Sequence, residues 1–348
     1  MKPTSLRNTT VLKNYFLPFS FLFFLFLTFG CKKLPEHIPS PAITTFASGL
    51  DNPIGLETDA NGNVWVALSG DGNDNGKIVA ITSKGVKYDA IVNMESVINK
   101  GSGDVEGPSH LLLDNGILYI LGANGKMYKA DVSKFKLGDA PMEGSSLAFE
   151  DIGSYVLSYP FQHNTHETHP YNLTKGPNGD LYIADAAANA IIHRVSAGVF
   201  SVLAEVPGLV NPTPIGGPQV ESVPTGILWD EQNFLVSTLL GFPFPTGYAV
   251  VYKISASGAV CVYQQGFTSL VDISRGNYFG HLVLQHGTFS TTAFNFEPNT
   301  GALVWANGSS VTELAGGLNL PVGLKQANPV TWYVSSLGDG AILKITYQ

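Results

Sequence analysis

Three of the eight histidines fall in one short window, Gln162-His163-Asn164-Thr165-His166-Glu167-Thr168-His169-Pro170. Imidazole is a common transition-metal ligand and titrates near neutrality, so such a run points to metal binding or proton transfer. A spacing of three suits one face of a helix. Pro170 and the threonines favour a loop instead, where the same residues can equally be solvated polar groups. A second segment, Asp71-Gly72-Asn73-Asp74-Asn75-Gly76, matches the first half of a calcium loop. Its twelfth position is Thr82 rather than Glu, so it reads as a hairpin turn.

Other chemistries lack their motifs. No Gly-x-Ser-x-Gly elbow supports a serine nucleophile. No Gly-x-Gly-x-x-Gly follows a strand and opens a helix, so nucleotide binding is unsupported. Lys and Arg number 19 against 27 Asp and Glu, a net charge of −8. Nucleic acid gripped through its phosphates requires a basic footprint, which excludes that partner. Charged residues are only 13% of the chain, about half the usual share, which excludes a coiled coil or a salt-bridged helical bundle. The 38 glycines show no Gly-x-y period and belong in turns.

Lys2, Arg7 and Lys13 precede an apolar run from Tyr15 to Gly30. A bilayer core of ~30 Å takes about 20 helical residues, so the run is short for a span. It has the size and flanks of a signal-peptide core over residues 1–30. Cys31 follows directly, then Lys32 and Lys33. The arrangement resembles a bacterial lipoprotein signal, with Cys31 lipidated as the first mature residue. Plain secretion and a retained anchor are the alternatives. Cys261 is the only other cysteine, so lipidation leaves no internal disulfide. Cleavage removes three cations and no anions, leaving −11 over 318 residues. Residues 31–42 carry three prolines and read as a stiff tether. The expected location is the bacterial envelope, periplasmic or outer-surface. The expected state is a monomer that touches the membrane only through its lipid.

The elements that must position these residues form a repeat of about fifty residues. A Pro/Gly turn leads into an apolar strand, then a polar turn, an aromatic-rich strand, and a strand ending in a basic residue. One copy runs Asn52-Pro53-Ile54-Gly55-Leu56, then Val64-Trp65-Val66-Ala67, then Lys77-Ile78-Val79-Ala80-Ile81. Others start at Gly107-Pro108, Pro170-Tyr171, Val223-Pro224, Ser269-Leu270 and Leu320-Pro321. No window shows a convincing helical period. A unit this small cannot bury both faces alone, so copies must stack. The predicted fold is all-β: a six-bladed β-propeller over residues 43–348. The segment Ile43-Thr44-Thr45-Phe46-Ala47 is expected to close the ring as fourth strand of the last blade.

In such a ring one side chain per innermost strand faces a shared axis. The expected positions are Ile54, His110, Asn172, Thr225, Asp272 and Val322. His110, Asn172 and Asp272 could ligate a metal, and Glu221 could reach inward. A mixed nitrogen and oxygen set would suit calcium, manganese or zinc weakly; channel polar groups bonded to backbone and water are the alternative. His166 and His169 would lie at the channel mouth. Phe242-Pro243-Phe244-Pro245 is a stiff aromatic loop that either lines that mouth or caps an apolar edge.

The phrases Glu221-Ser222-Val223-Pro224-Thr225-Gly226-Ile227, Leu240-Gly241-Phe242-Pro243-Phe244-Pro245-Thr246-Gly247 and Gly266-Phe267-Thr268-Ser269-Leu270-Val271-Asp272 occur in this order. With Pro170-Tyr171-Asn172 and Asp185 through Asn189, they resemble the ScyD/ScyE family of secreted bacterial β-propellers, related in fold to NHL-type propellers. The resemblance implies fold and envelope location more than a reaction. Related lactonase-type propellers hold a divalent ion at the axis through carboxylate and amide oxygens. Two carboxylates common in the family are missing here, where the sequence reads Asp230-Glu231-Gln232-Asn233 and His281-Leu282-Val283-Leu284-Gln285-His286-Gly287. Two functional expectations follow. The first is a propeller binding a partner, polymer or small molecule at the channel mouth, through His110, Asn172, Glu221, Thr225, Asp272, Phe242 and Phe244. The second is a metal-dependent enzyme, lactonase-like or acting on an aromatic metabolite, using His110, Asn172, Asp272, His166 and His169.

Overall fold

The computed structural model describes residues 38–100, 103–277 and 280–347. The signal segment, Cys31 and most of the tether lie outside the described residues. Among the described residues, six sheets of four antiparallel strands follow one another along the chain, as the repeat predicts. Their innermost strands are Pro53–Thr58, Leu111–Asp114, Pro170–Lys175, Ser222–Trp229, Leu270–Arg275 and Pro321–Asn328. The first sheet carries a short fifth strand, Met142–Glu143, pairing parallel with Lys87–Met94. In the sixth sheet the outermost strand is Ala42–Ser48, with Ala42 opposite Thr346 and Ser48 opposite Ala341. The head of the chain thus completes the last blade, and Phe46 packs on Tyr333 with centroids 4.8 Å apart.

The blades cohere because their middle strands are apolar on both faces. Every residue of Val64–Leu68 and Leu181–Asp185 is buried. The apolar clusters join neighbours: Tyr182, Ala184 and Ile191 of the third blade pack with Phe234, Val236 and Tyr252 of the fourth. Each such large side chain contributes about 1.5–3 kcal/mol when fully buried.

Close approach of the innermost strands depends on glycine. A Cβ on Gly55 would stand 2.6 Å from the His110 Cα, and one on Gly226 would stand 2.8 Å from the Asp272 Cα. No side chain fits there, which is why these two strands can lie against their neighbours.

One helix departs from the sequence expectation. Ile152–Ser158 is helical, capped by Asp151, which accepts from the Ser154 N–H at 2.8 Å. Ile152, Tyr155, Val156 and Tyr159 do follow the helical period. They bury against Met127, Leu173 and Ile183.

Successive strands alternate in direction, so two sets of loops share one end of the ring. These are the connections into each innermost strand and those joining second to third strands. We call this the leading end and the opposite one the trailing end. The histidine loop, Asp185–Asn189 and the Phe242 loop all lie at the leading end.

Candidate functional site

The axis is filled by three side chains and three glycines. A register break lies near the start of five of the innermost strands, between Pro53/Leu56, Pro170/Asn172, Pro224/Gly226, Leu270/Asp272 and Pro321/Gly323. It brings Gly55, His110, Asn172, Gly226, Asp272 and Gly323 into equivalent positions. The expected channel positions Ile54, Thr225 and Val322 are therefore one residue early. Thr225 instead matches Tyr171, and its hydroxyl donates to the Leu270 and Ser237 carbonyls at 2.9 and 3.2 Å.

His110, Asn172 and Asp272 do converge, all three buried. Asn172 Nδ2 donates to Asp272 Oδ1 at 3.0 Å, and His110 Nε2 lies 3.8 Å from Asp272 Oδ2. The Ile273 and Leu324 N–H groups also donate to Asp272, at 2.8 and 2.7 Å. Burial pushes the Asp272 carboxyl up to about 7, against the pull of those donors and of Lys325. Burial pushes His110 down to about 3, with the Tyr171 backbone pulling weakly the other way. Neither His110 ring nitrogen has a partner in hydrogen-bonding geometry. At neutral pH the imidazole is uncharged.

This donor set does not fit a divalent ion. Leu173 N–H donates to Asn172 Oδ1 at 2.8 Å, which fixes the amide with its nitrogen, not its oxygen, facing the axis. Asp272 already receives three N–H groups. Among the described residues no group of three or more His, Cys, Asp and Glu is placed to hold a metal.

The plug separates two concavities. On the trailing side a cavity of about 220 Å³ is lined by the plug together with Glu57, Thr174, Ser274 and Lys325. Its wall carries the Lys325–Glu57 ion pair at 2.7 Å. On the leading side a mouth of about 530 Å³ is lined by Glu167, His169, Tyr171, Glu221 and Thr225, with Asp104 on its rim. Tyr171 was not singled out by the sequence reading. It stands edge-on to His110 at 4.7 Å and to His169 at 5.8 Å. Burial and the nearby Asp272 raise its hydroxyl pKa. Its signal was its place just before Asn172, which a bulged strand turns to the leading end.

The histidine loop keeps His166 and His169 on one concavity and separates His163 from them. Gln162 N–H bonds Glu205 at 3.1 Å, drawing the His163 end away. His166 faces a neighbouring concavity of about 840 Å³ that also includes His169 and Glu167. Asp185 pins the loop, accepting from His169 N–H at 2.8 Å and Thr168 Oγ1 at 2.6 Å. Burial raises the Asp185 pKa. Phe242 and Phe244 line neither the mouth nor the axial cavity. In the Asp71 loop, Asp71 Oδ1 accepts from Asn73 Nδ2 at 2.9 Å, a turn closed on itself.

Among solved structures the chain is similar to a PQQ-bound aldose sugar dehydrogenase from Streptomyces coelicolor (15% identity, TM-score 0.58), covering 89% of this chain and 99% of that one. A gluconolactonase from Xanthomonas campestris is 8% identical, with TM-score 0.56 over 88% of this chain and 89% of that one. A virginiamycin B lyase from Staphylococcus aureus is 14% identical, with TM-score 0.50 over 88% and 99%. These neighbours are six-bladed β-propellers, and so is this chain. At these identities the likeness carries the fold alone. No family model matches the chain, and no curated protein matches it.

Proposed function

We propose that this propeller is an envelope-anchored, ScyD/ScyE-like lipoprotein that binds a small ligand at the leading mouth of its channel. One observation carries the reading. The mouth is a concavity of about 530 Å³ lined by Tyr171 and Thr225, the residues that directly precede Asn172 and Gly226 in their strands. A concavity of this size with a few convergent polar groups is a usual form of a ligand site. Its lining combines the phenol of Tyr171, the imidazole of His169 and the carboxylates of Glu167 and Glu221, with no Lys or Arg. A ligand that donates hydrogen bonds or carries positive charge fits that set. Divalent-metal chemistry at the axis finds no matching donor set among the described residues.

The test is a thermal-shift screen of small amines and polyols on the purified mature protein, repeated on Glu221→Gln and Tyr171→Phe. A compound that raises the wild-type Tm and fails on both variants supports the reading. Compounds whose effect survives both changes place binding elsewhere and overturn it. Labelling with a fatty-acid analogue in cells tests the anchor, since Cys31→Ser must abolish incorporation.

A further inference from the structure

The leading face carries a second feature, set apart from the mouth. The loop after Asn233–Leu240 and a hairpin inserted in the fifth blade, whose strands are Phe289–Ser290 and Asn295–Phe296, meet through five phenylalanines. Phe244 packs on Phe289 and Phe296 with centroids 4.7 and 5.1 Å apart. Phe296 rests on His286 at 4.7 Å, and His286 is itself tied to the Pro321 carbonyl at 3.0 Å. Upon this base stand Phe242 and Phe294, 5.5 Å apart, and they remain 41% and 71% exposed. Phe244 and Phe294 sit at φ of +55° and +53°. Bulky side chains rarely adopt that region, and holding them there costs of order 1 kcal/mol each. An isolated exposed aromatic is ordinary, but two raised rings on a strained aromatic base are not.

The surroundings of these rings narrow what they receive. The loop around Gly216 abuts the Phe242 carbonyl and the Pro243 ring. The contributing stretches 206–220, 232–252 and 276–296 contain no Asp, Glu, Lys or Arg; the carboxylate residue Glu221 stands against Gly241 and Glu297 follows Phe296. The same loop and hairpin carry exposed hydroxyl residues at Thr246, Tyr248, Thr291 and Thr292. We infer that the Phe242–Phe294 platform is a binding site for an uncharged carbohydrate chain. The C–H faces of sugar rings stack on phenyl groups, and their hydroxyls pair with neutral hydroxyl neighbours. A protein partner would be expected to meet a rim carrying charges as well as polar groups. An inserting membrane surface would call for Lys or Arg beside the aromatics.

The experiment is affinity electrophoresis of the mature protein in gels containing dextran, laminarin or hydroxyethyl cellulose, with alginate as the charged comparison. Retardation in at least one neutral gel and none in alginate is expected. Phe242→Ala and Phe294→Ala should each weaken it roughly tenfold, and the pair should abolish it. Both rings are exposed, so unchanged Tm will show that the variants fold. Absence of retardation in all three neutral gels overturns the inference, as does retardation that the double variant retains. Binding to phosphatidylcholine vesicles, or self-association on gel filtration, that is lost in Phe294→Ala while the neutral gels show nothing would assign the platform to a bilayer or a second copy instead. The outcome is independent of the mouth, because neither ring lines it.

Discussion

Asn172 presents its amide nitrogen, not its oxygen, to Asp272 across the propeller axis, at 3.0 Å. The Leu173 N–H holds the amide oxygen on the other side. Two residues a hundred positions apart thereby close the ring at its centre, joining the third blade to the fifth. The carboxyl of Asp272 also reaches the sixth blade through the Leu324 N–H, so one side chain links three blades.

This bond predicts a stability effect. Asn172→Leu keeps the volume but strips Asp272 of one of its three donors. The loss should be about 1–3 kcal/mol, the range for a buried group left short of a partner. Urea denaturation reads it directly. Millimolar calcium, manganese or zinc should leave the wild-type Tm unchanged, because the amide oxygen is already engaged.

Gly226 gives a second prediction. A methyl group there meets the Asp272 Cα at 2.8 Å, and backbone cannot swing aside as a flexible side chain can. Gly226→Ala should destabilise by about 1–3 kcal/mol, although removing backbone freedom from the unfolded chain acts the other way. A gain in stability on denaturation would show that the strands are not in such close contact.

Much of this was readable in the residues, and the exceptions have physical causes. The blades announce themselves through Pro-led apolar strands and Gly/Asn turns, and the closing strand through the apolar Ile43 and Phe46. His110, Asn172 and Asp272 were identified because the repeat frame puts them at one offset. Ile54, Thr225 and Val322 stand one residue before the axis positions because a bulge near the start of each strand adds one position, which no periodicity reveals. The Phe242-Pro243-Phe244-Pro245 phrase stands out in the sequence, but its partners Phe289, Phe294 and Phe296 lie in an insertion that breaks the repeat. The seven-residue helix is too short for its period to stand out against strands on either side.

Ring closure can be tested by shortening the chain. Starting it after Ser48 deletes the outermost strand of the sixth blade. That exposes the edge of Ala341–Thr346 and the face of Tyr333 under Phe46. An open edge pairs with other chains. The shortened protein should lose cooperative unfolding or self-associate, as gel filtration with light scattering would show. A monomer with wild-type Tm would mean that this strand contributes nothing to closure.

Acid stability should depend on the link between the second and third blades. Arg194 forks onto Glu150 with two contacts of 2.7 Å, and Gly198 N–H and Lys129 add to them. Burial alone would raise the Glu150 carboxyl, but these partners outweigh it and hold it at about 2. The folded pKa lies below the unfolded one, so the stabilisation is fully present above the ordinary glutamate range. It is lost as pH falls from about 4.5 through about 2. Glu150→Gln should therefore cost about 1–2 kcal/mol at neutral pH, allowing for solvent screening at a sheet edge. The cost should shrink steadily on acidification, because the wild type loses the same interaction by protonation. Denaturation curves for both proteins from neutral pH down to pH about 3 decide it. Parallel curves, with a constant gap at every pH, would show that Glu150 acts through packing rather than charge.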